Sequence, residues 1–403
     1  MYKRQYLTGA GTSDWFHSET IFRACLALLQ LTGCQGRSGG GWAHRAGREE
    51  RRSGAGWATL ASASDWSRPA RLMAGPAYWF LHTGQWRHDR CTADVLVSPL
   101  GRDRFRGMTG ADCLALSVRS GWMPSYPTFD RSPLELGEVF GDAVARVVAE
   151  LRAGTLKFAC EDPDAPRNWP RVLTLWRADP FGSSAEGGEY VHRHLLGTRS
   201  SPRAEEAPPG VRPRDATRRD EAPEGKLDLL LSLDLRQTTS TLLSDVVLPA
   251  ATWDEGHDLP GTGPDPFVDS PAPAVDPPAR GRTGFDVFKA LAERFSELAV
   301  GRLGVRKDLV VTALQHDTPD ETAQPGGVVL DWRRGQCDPV PGRTLPNLTV
   351  VERDYTAVGA RFARWWSNSG SPPGESRPPM RRSSSYGGPT VSRPTATPCS
   401  TRP

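Results

Sequence analysis

The sequence predicts an α/β protein built on a mostly parallel sheet, with loop-rich α/β segments on either side. Short apolar runs with the composition of buried strands alternate with amphipathic helical segments, which is the pattern of parallel sheets. The 403 residues include 41 Gly and 36 Pro, which favours long loops. The length exceeds what one small core requires, so several structural units are expected.

Residues 14–150 are expected to form the first loop-rich segment. Apolar residues at helical intervals predict a helix over 15–32, which Thr32-Gly33 ends, and a second amphipathic helix over 137–153. A glycine-rich loop with Gly39, Gly40 and Gly41 lies between them. Peptide N–H groups in such a loop can cradle a phosphate, and a flexible turn is the alternative interpretation.

Residues 151–300 are predicted to form a Rossmann-like sheet domain. Strands are expected over 172–176, 227–233 and 244–249, and helices over 189–196 and 286–298. The charged, proline-rich stretch 199–224 predicts a surface loop between the first two strands. In an open sheet of this kind, ligands bind beyond the carboxyl ends of the strands.

Small and hydroxylated residues follow the first predicted strand. Gly182, Ser183 and Ser184 lie in a turn before a helix, where two hydroxyls and helix N–H groups suit a pyrophosphate. A serine that only caps the helix would occupy the same place, so the geometry favours neither interpretation.

An acidic residue ends the second predicted strand. Asp234 can accept hydrogen bonds from a ribose hydroxyl or from the N–H groups of guanine, with Arg236 and Thr239 close behind. A turn-forming aspartate is the alternative. The residues by themselves therefore lead to a nucleotide-binding α/β protein and no further.

Other function classes find no support in the sequence. The seven cysteines form no C-x-x-C pair, so a zinc or iron–sulfur site built from this chain alone is not expected. We expect the cysteines to be reduced thiols. P-loop, nucleophile and H-E-x-x-H motifs are missing. A net charge of +3 gives no general case for nucleic-acid binding, and no apolar run reaches the length of a membrane span.

Several strings, taken together, resemble the alpha subunit of respiratory nitrate reductases, which are molybdopterin oxidoreductases. They are Trp15-Phe16-His17-Ser18, Gly39-Gly40-Gly41-Trp42-Ala43-His44, Trp176-Arg177, Gly182-Ser183-Ser184, Leu233-Asp234-Leu235-Arg236 and Ser244-Asp245-Val246-Val247-Leu248-Pro249-Ala250-Ala251-Thr252-Trp253. The resemblance extends over about residues 14–358 and keeps the family's order of segments. It is specific because the strings occur together.

The resemblance implies part of a molybdopterin oxidoreductase fold that reduces nitrate to nitrite. The implied cofactor is molybdenum bis(molybdopterin guanine dinucleotide), reduced by quinol through iron–sulfur clusters, among them a 4Fe-4S cluster. The implied partners are an iron–sulfur beta subunit and a membrane haem b gamma subunit, at the cytoplasmic face of the bacterial plasma membrane. The implied cofactor-binding residues are Gly39, Gly40, Gly41, Trp42, His44, Trp176, Arg177, Gly182, Ser183, Ser184, Asp234, Arg236 and Thr239.

Departures from the family pattern qualify this expectation. The family's Cys/His cluster ligands and the Asp that binds molybdenum have no counterpart here, so we expect an internal fragment that is inactive alone and holds no metal ligand. Asp179 stands where the family has Asn, and Ala185-Glu186 replaces a Gly-Lys pair. The alternative from another class is a non-catalytic remnant or assembly module of the same fold. Another oxyanion reductase of the superfamily is a further possibility.

The expected organisation has five parts. Residues 1–13 are an unmatched extension, 14–150 and 151–300 are the two segments described above, and 301–360 form a family-like peripheral segment. Residues 361–403 are dominated by Ser, Pro, Arg and Gly and are expected to be disordered. A frameshift in a GC-rich gene would explain that composition.

Overall fold

The computed structural model describes residues 17–34, 77–95, 105–123, 128–182, 190–199, 205–256, 272–278, 281–314 and 330–369. The α-helices in these ranges are α1 (Ser18–Leu31), α2 (Ala77–His82), α3 (Gly110–Arg119), α4 (Pro133–Gly137), α5 (Ala143–Ala153), α6 (Thr239–Leu242), α7 (Gly284–Ala299) and α8 (Val358–Ser369). The strands are β1 (Val172–Trp176), β2 (Leu229–Asp234), β3 (Val246–Pro249), β4 (Val305–Thr312) and β5 (Asn347–Asp354). No helix of the described ranges is long and apolar enough to cross a membrane.

The parallel sheet is confirmed, in the order β1-β2-β3. Val172 pairs with Leu229, and Leu231 pairs with Val246, so both neighbours of β2 run in its direction. One face packs on α7 through Leu233 and Val287. The helix predicted at 286–298 is confirmed as α7, which begins two residues earlier because Thr283 caps it by accepting the Asp286 N–H.

Two predicted helices differ from the structure in extent or type. The helix predicted over 137–153 begins only at Ala143, because Gly141 has φ of +90° and Asp142 is extended and caps α5 by accepting the Ala145 N–H. The helix predicted over 189–196 is a π-helical turn over Val191–Leu195. The N-terminal helix is confirmed in the described residues, since α1 ends at Leu31 and Gly33 has φ of +62°.

The largest core lies outside the parallel sheet. It forms where the segment predicted to be loop-rich packs against an antiparallel pair, in which Val305 pairs with Asp354 and Thr312 with Asn347. This antiparallel pair was not predicted from the sequence. The buried residues of the core include Leu81, Trp86, Ala111, Ala115, Val118, Phe129, Leu136, Val147, Leu151, Leu156, Phe158, Leu309, Trp332 and Leu345.

The predicted surface loop at 199–224 is only partly at the surface. Ala207 and Ala216 are buried, and the backbone N–H groups of Arg214 and Asp215 donate to Asp112 Oδ1 at 2.8 and 2.7 Å. Glu206 and Asp215 of this stretch pair with the buried Arg87 and Arg119, so part of the charge that suggested a solvated loop is neutralised inside the protein.

The predicted disorder is wrong for residues 361–369, which belong to α8. Phe362 stacks on Phe285 of α7 with ring centroids 5.2 Å apart, and the Gly359 N–H donates to Ser296 Oγ at 2.9 Å. An aromatic contact at the start of the polar segment thus extends the ordered fold. The rest of the predicted tail lies outside the described residues.

Candidate functional site

The three parallel strands end side by side, at what we call the carboxyl edge: residues 176–182, 234–240 and 249–251. Trp176 is in register with Leu233, and Asp234 with Pro249. The ladder continues past the strand ends, because the Arg177 N–H donates to Leu233 O and the Ala250 N–H to Asp234 O, both at 2.9 Å. Side chains that the sequence placed after separate strands therefore meet at one edge.

Arg177 adopts a strained backbone at this edge. Its φ of +52° makes it the single non-glycine residue in the left-handed region among the residues that the structure describes. Its Nη2 donates to the carbonyl of Ala251 at 3.1 Å, so the side chain reaches across the end of β2. Strain of this kind persists where the surrounding structure fixes it and is concentrated at functional sites.

The turns after β1 and β2 touch each other at Gly182. A β-carbon at this position would lie 2.4 Å from Asp179 Oδ2 and 2.7 Å from Thr239 Oγ1, so only glycine fits here. The close approach joins the predicted phosphate turn to the residues that follow Asp234. The two turns therefore form one continuous surface at the carboxyl edge.

Asp179 connects the same two turns by hydrogen bonds. Its Oδ1 accepts the Ser240 N–H at 2.9 Å and the Ser240 hydroxyl at 2.6 Å. The Ser240 hydroxyl lowers the pKa of the Asp179 carboxyl, helped by backbone N–H groups that include Gly182 and Thr239, and these outweigh partial burial. This contact has no local signal in the sequence, because its partners are 61 residues apart.

Asp234 uses one carboxylate oxygen for local structure. Oδ1 accepts the N–H of Leu235 at 2.6 Å, which is the turn-forming role considered from the sequence. Within the described part of the chain no hydrogen bond reaches Oδ2. The turn and a ligand contact are therefore compatible, and the ligand contact stays a prediction.

Cationic groups are available at the carboxyl edge. Arg177 and Arg236 are both exposed, and among the described residues neither guanidinium has a carboxylate within ion-pair distance. Thr239, exposed at the start of α6, adds a hydroxyl. Together these groups can bind an anion such as a diphosphate through charge-assisted hydrogen bonds.

Trp176 packs inward against α7. Its ring contacts Phe288 edge-on at 5.1 Å, and a β-carbon at Gly284 would lie 2.7 Å from the ring. Trp176 is 49% exposed, so a ligand contact for it stays a prediction.

The remaining predicted site residues lie outside the described residues. They are Gly39, Gly40, Gly41, Trp42, His44, Ser183 and Ser184. Among the residues that the structure describes, no group of three or more His, Cys, Asp or Glu is placed to hold a metal ion.

Comparison with known proteins identifies one matching family model and several relatives. Residues 3–294 match the model of the molybdopterin oxidoreductases. The chain is 53% identical over 366 residues to a nitrate reductase alpha subunit of Mycobacterium tuberculosis and 44% identical over 373 residues to one of Bacillus subtilis. It is 41% identical over 363 residues to a respiratory nitrate reductase 2 alpha chain of Escherichia coli. These matches cover 88–89% of this chain and 29–30% of the relatives' lengths.

Proposed function

The chain belongs to the molybdopterin oxidoreductase family, and we propose that its carboxyl edge binds the nucleotide end of a molybdopterin guanine dinucleotide. The observation that carries the proposal is the contact between the turns after β1 and β2 at Gly182 and Thr239. Because of this contact, one ligand can touch both strand ends at once. A dinucleotide has the length and the two kinds of polar group that such an edge suits.

The residues present fit the chemistry of this group. Arg177 and Arg236 offer guanidinium groups without carboxylate partners in the described ranges, which favours diphosphate oxygens. The missing β-carbon of Gly182 lets the turn after β1 lie directly against Thr239, so groups from both turns are within reach of one ligand. Oδ2 of Asp234 can accept hydrogen bonds from the N1–H and N2–H groups of guanine.

The cofactor, when bound, supplies oxygen-atom transfer and two-electron chemistry at molybdenum. The described residues would fix the position of its nucleotide end. Arg177 would hold phosphate oxygens, while its bond to Ala251 O keeps the guanidinium in place. Asp234 would orient the guanine by its carboxylate.

We further infer that this chain functions within a nitrate reductase alpha subunit that reduces nitrate to nitrite. The relatives named above carry that name, and the chain spans about three tenths of their length. In this proposal quinol supplies electrons through iron–sulfur clusters, and the partners are an iron–sulfur beta subunit and a haem b gamma subunit. The assembly would sit at the cytoplasmic face of the plasma membrane.

Cofactor analysis of the full 403-residue chain tests the binding proposal. The chain would be purified from a host that makes the cofactor. Molybdenum would be measured by mass spectrometry, guanosine monophosphate after acid hydrolysis, and nitrate reduction with a viologen donor. We expect guanosine monophosphate to co-purify with the folded chain. A folded chain free of nucleotide and molybdenum would instead support the non-catalytic assembly module.

Asp234→Ala should lower nucleotide retention about 10- to 100-fold, the range for losing hydrogen bonds to a charged acceptor. Guanosine monophosphate released per folded chain measures this. The matched control is Asp228→Ala, which removes an exposed carboxylate paired with Arg171 at the opposite end of β2. Retention should be unchanged in the control. Full molybdenum and nucleotide occupancy in Asp234→Ala would contradict the proposed role.

A further inference from the structure

We propose that Asp179 is a positioning residue, whose carboxylate ties the turn after β1 to the start of α6 and so fixes the relative position of the two turns. The inference rests on the proposed function only for what the carboxyl edge binds. The contact itself is a property of the chain, and it can be tested without a cofactor.

The contacts of Asp179 reach from the carboxyl edge into the sheet. Its Oδ1 accepts both the N–H and the hydroxyl of Ser240, which is fully buried. The Ser244 hydroxyl donates to Ser240 O at 2.8 Å, and the hydroxyls of Ser244 and Ser232 are 2.7 Å apart. Ser232 lies inside β2 and is buried. The carboxylate is therefore linked to the sheet interior through Ser240, whose hydroxyl binds Asp179 and whose carbonyl accepts from Ser244, and then through the Ser244 and Ser232 hydroxyls.

Local structure at α6 depends on such an anchor. The helix has four residues, which is one turn, and a helix of that length is not stable by itself. Thr238 caps it by accepting the Thr241 N–H at 3.3 Å, and Asp179 accepts the next free N–H, that of Ser240. From the other side, the Phe181 N–H donates to Ser240 Oγ at 3.4 Å. Loss of the Asp179 acceptor would release both turns.

The negative charge of Asp179 has a separate consequence from its acceptor oxygen. A carboxylate at the same edge as Arg177 and Arg236 opposes a bound diphosphate, because like charges repel. Asparagine keeps a carbonyl oxygen that can accept from Ser240 and carries no charge. The two roles can therefore be separated by substitution: alanine removes the charge and both acceptor oxygens, whereas asparagine removes the charge and one oxygen and keeps the other for Ser240.

The experiment compares the full chain with Asp179→Asn, Asp179→Ala, Ser240→Ala and the control Asp228→Ala. Hydrogen exchange of residues 238–243 reports the anchor, and titration with guanosine diphosphate reports anion binding. In Asp179→Ala we expect exchange at least about tenfold faster and binding about tenfold weaker. Asp179→Asn should exchange within about twofold of the parent chain and bind about threefold more tightly. Ser240→Ala keeps the backbone donor, so its exchange should lie between those of the parent and Asp179→Ala.

The outcomes separate this inference from the proposed function. Unchanged exchange in both Asp179→Ala and Ser240→Ala would overturn the positioning role, as would an Asp179→Asn variant that exchanges as fast as the alanine variant. Should Asp179→Ala not fold, Ser240→Ala and Asp179→Asn decide the question. Faster exchange in Asp179→Ala, with no guanosine diphosphate bound by any protein, would confirm the anchor and refute the nucleotide proposal.

Discussion

Arg119→Met should lower the free energy of unfolding by about 3–5 kcal/mol, the usual cost of removing one partner from a buried ion pair. The substitution keeps an unbranched side chain and removes the charge, so it leaves buried carboxylates without their cation. Denaturant unfolding of the full chain at neutral pH measures the change. The effect should appear as a lower midpoint with an unchanged slope.

The size of this effect follows from how completely the guanidinium is buried. Arg119 is 0% exposed, and its Nη2 lies 2.8 Å from Asp215 Oδ2 and 2.7 Å from Asp331 Oδ2. Its Nη1 lies 3.2 Å from Glu161 Oε1. Burial acts to lower the pKa of Arg119, but Asp331 and Asp215 raise it overall. One cation therefore joins four separate stretches of the chain.

The matched control is Arg152→Met, on α5. Arg152 pairs with Asp338 at 3.0 Å, but both side chains are largely exposed, so the change should stay within about 0.5 kcal/mol. Arg333 and Arg334 also contact carboxylates of the Arg119 network. A loss below about 1 kcal/mol in Arg119→Met would mean that these two arginines replace it, and would contradict the prediction.

The parallel sheet was predictable because its signals are local. β1 is apolar at four of its five positions, and the structure places it at the predicted residues 172–176. β2 and β3 begin two residues after their predicted starts. The Leu227 N–H donates to Leu195 O, outside the sheet, and Asp245, just before β3, bonds the backbone of Leu230 through its N–H and its carboxylate. Such contacts join separate segments of the chain, so a single strand's pattern does not show them.

The antiparallel pair was not predictable in the same way. β4 carries Arg306, Lys307 and Asp308, which interrupt an apolar pattern and suggest exposure. In the structure Asp308 is buried and lies 3.2 Å from the Tyr355 hydroxyl and 3.4 Å from Arg353 Nη2. The partners that make this burial possible are more than 40 residues away in the chain, so the sequence pattern alone misjudged the segment.

The residues of the candidate site were likewise predictable only where their signal is local in the sequence. Strand-end chemistry suggested Gly182 and Asp234 from the residues themselves, and the resemblance added Trp176 and Arg177. The left-handed backbone of Arg177 could not be predicted, because nothing in an arginine favours that conformation. Asp179 stood out only as a departure from the family, and its bond to Ser240 depends on the tertiary fold.

Acidification should destabilise the chain through His194, which is 3% exposed beside the parallel sheet. Its Nδ1–H donates to Pro223 O at 2.9 Å, and its ring packs on Gly84, where a β-carbon would lie 3.1 Å away. Burial lowers the pKa of His194 from 6.5 to about 4, and the nearby charges of Lys226 and Arg193 act in the same direction. The folded protein therefore holds this imidazole neutral where the unfolded chain would protonate it.

The sign of the effect follows from that difference. Above pH 6.5 the imidazole is neutral in both states and its contribution to stability is complete. Between pH 6.5 and about 4 the unfolded chain gains a proton that the folded chain does not, which costs about 3 kcal/mol over the whole interval.

Comparing denaturant unfolding of the parent chain and His194→Gln at pH 7.5 and 4.5 isolates this residue from other titrating groups. The glutamine variant cannot gain the proton, so the stability difference between the two proteins should shift in its favour by about 2–3 kcal/mol on acidification. A pH-independent difference for His194→Gln would mean that the folded protein admits the charged imidazole, and that the packing on Gly84 and Pro223 does not exclude it.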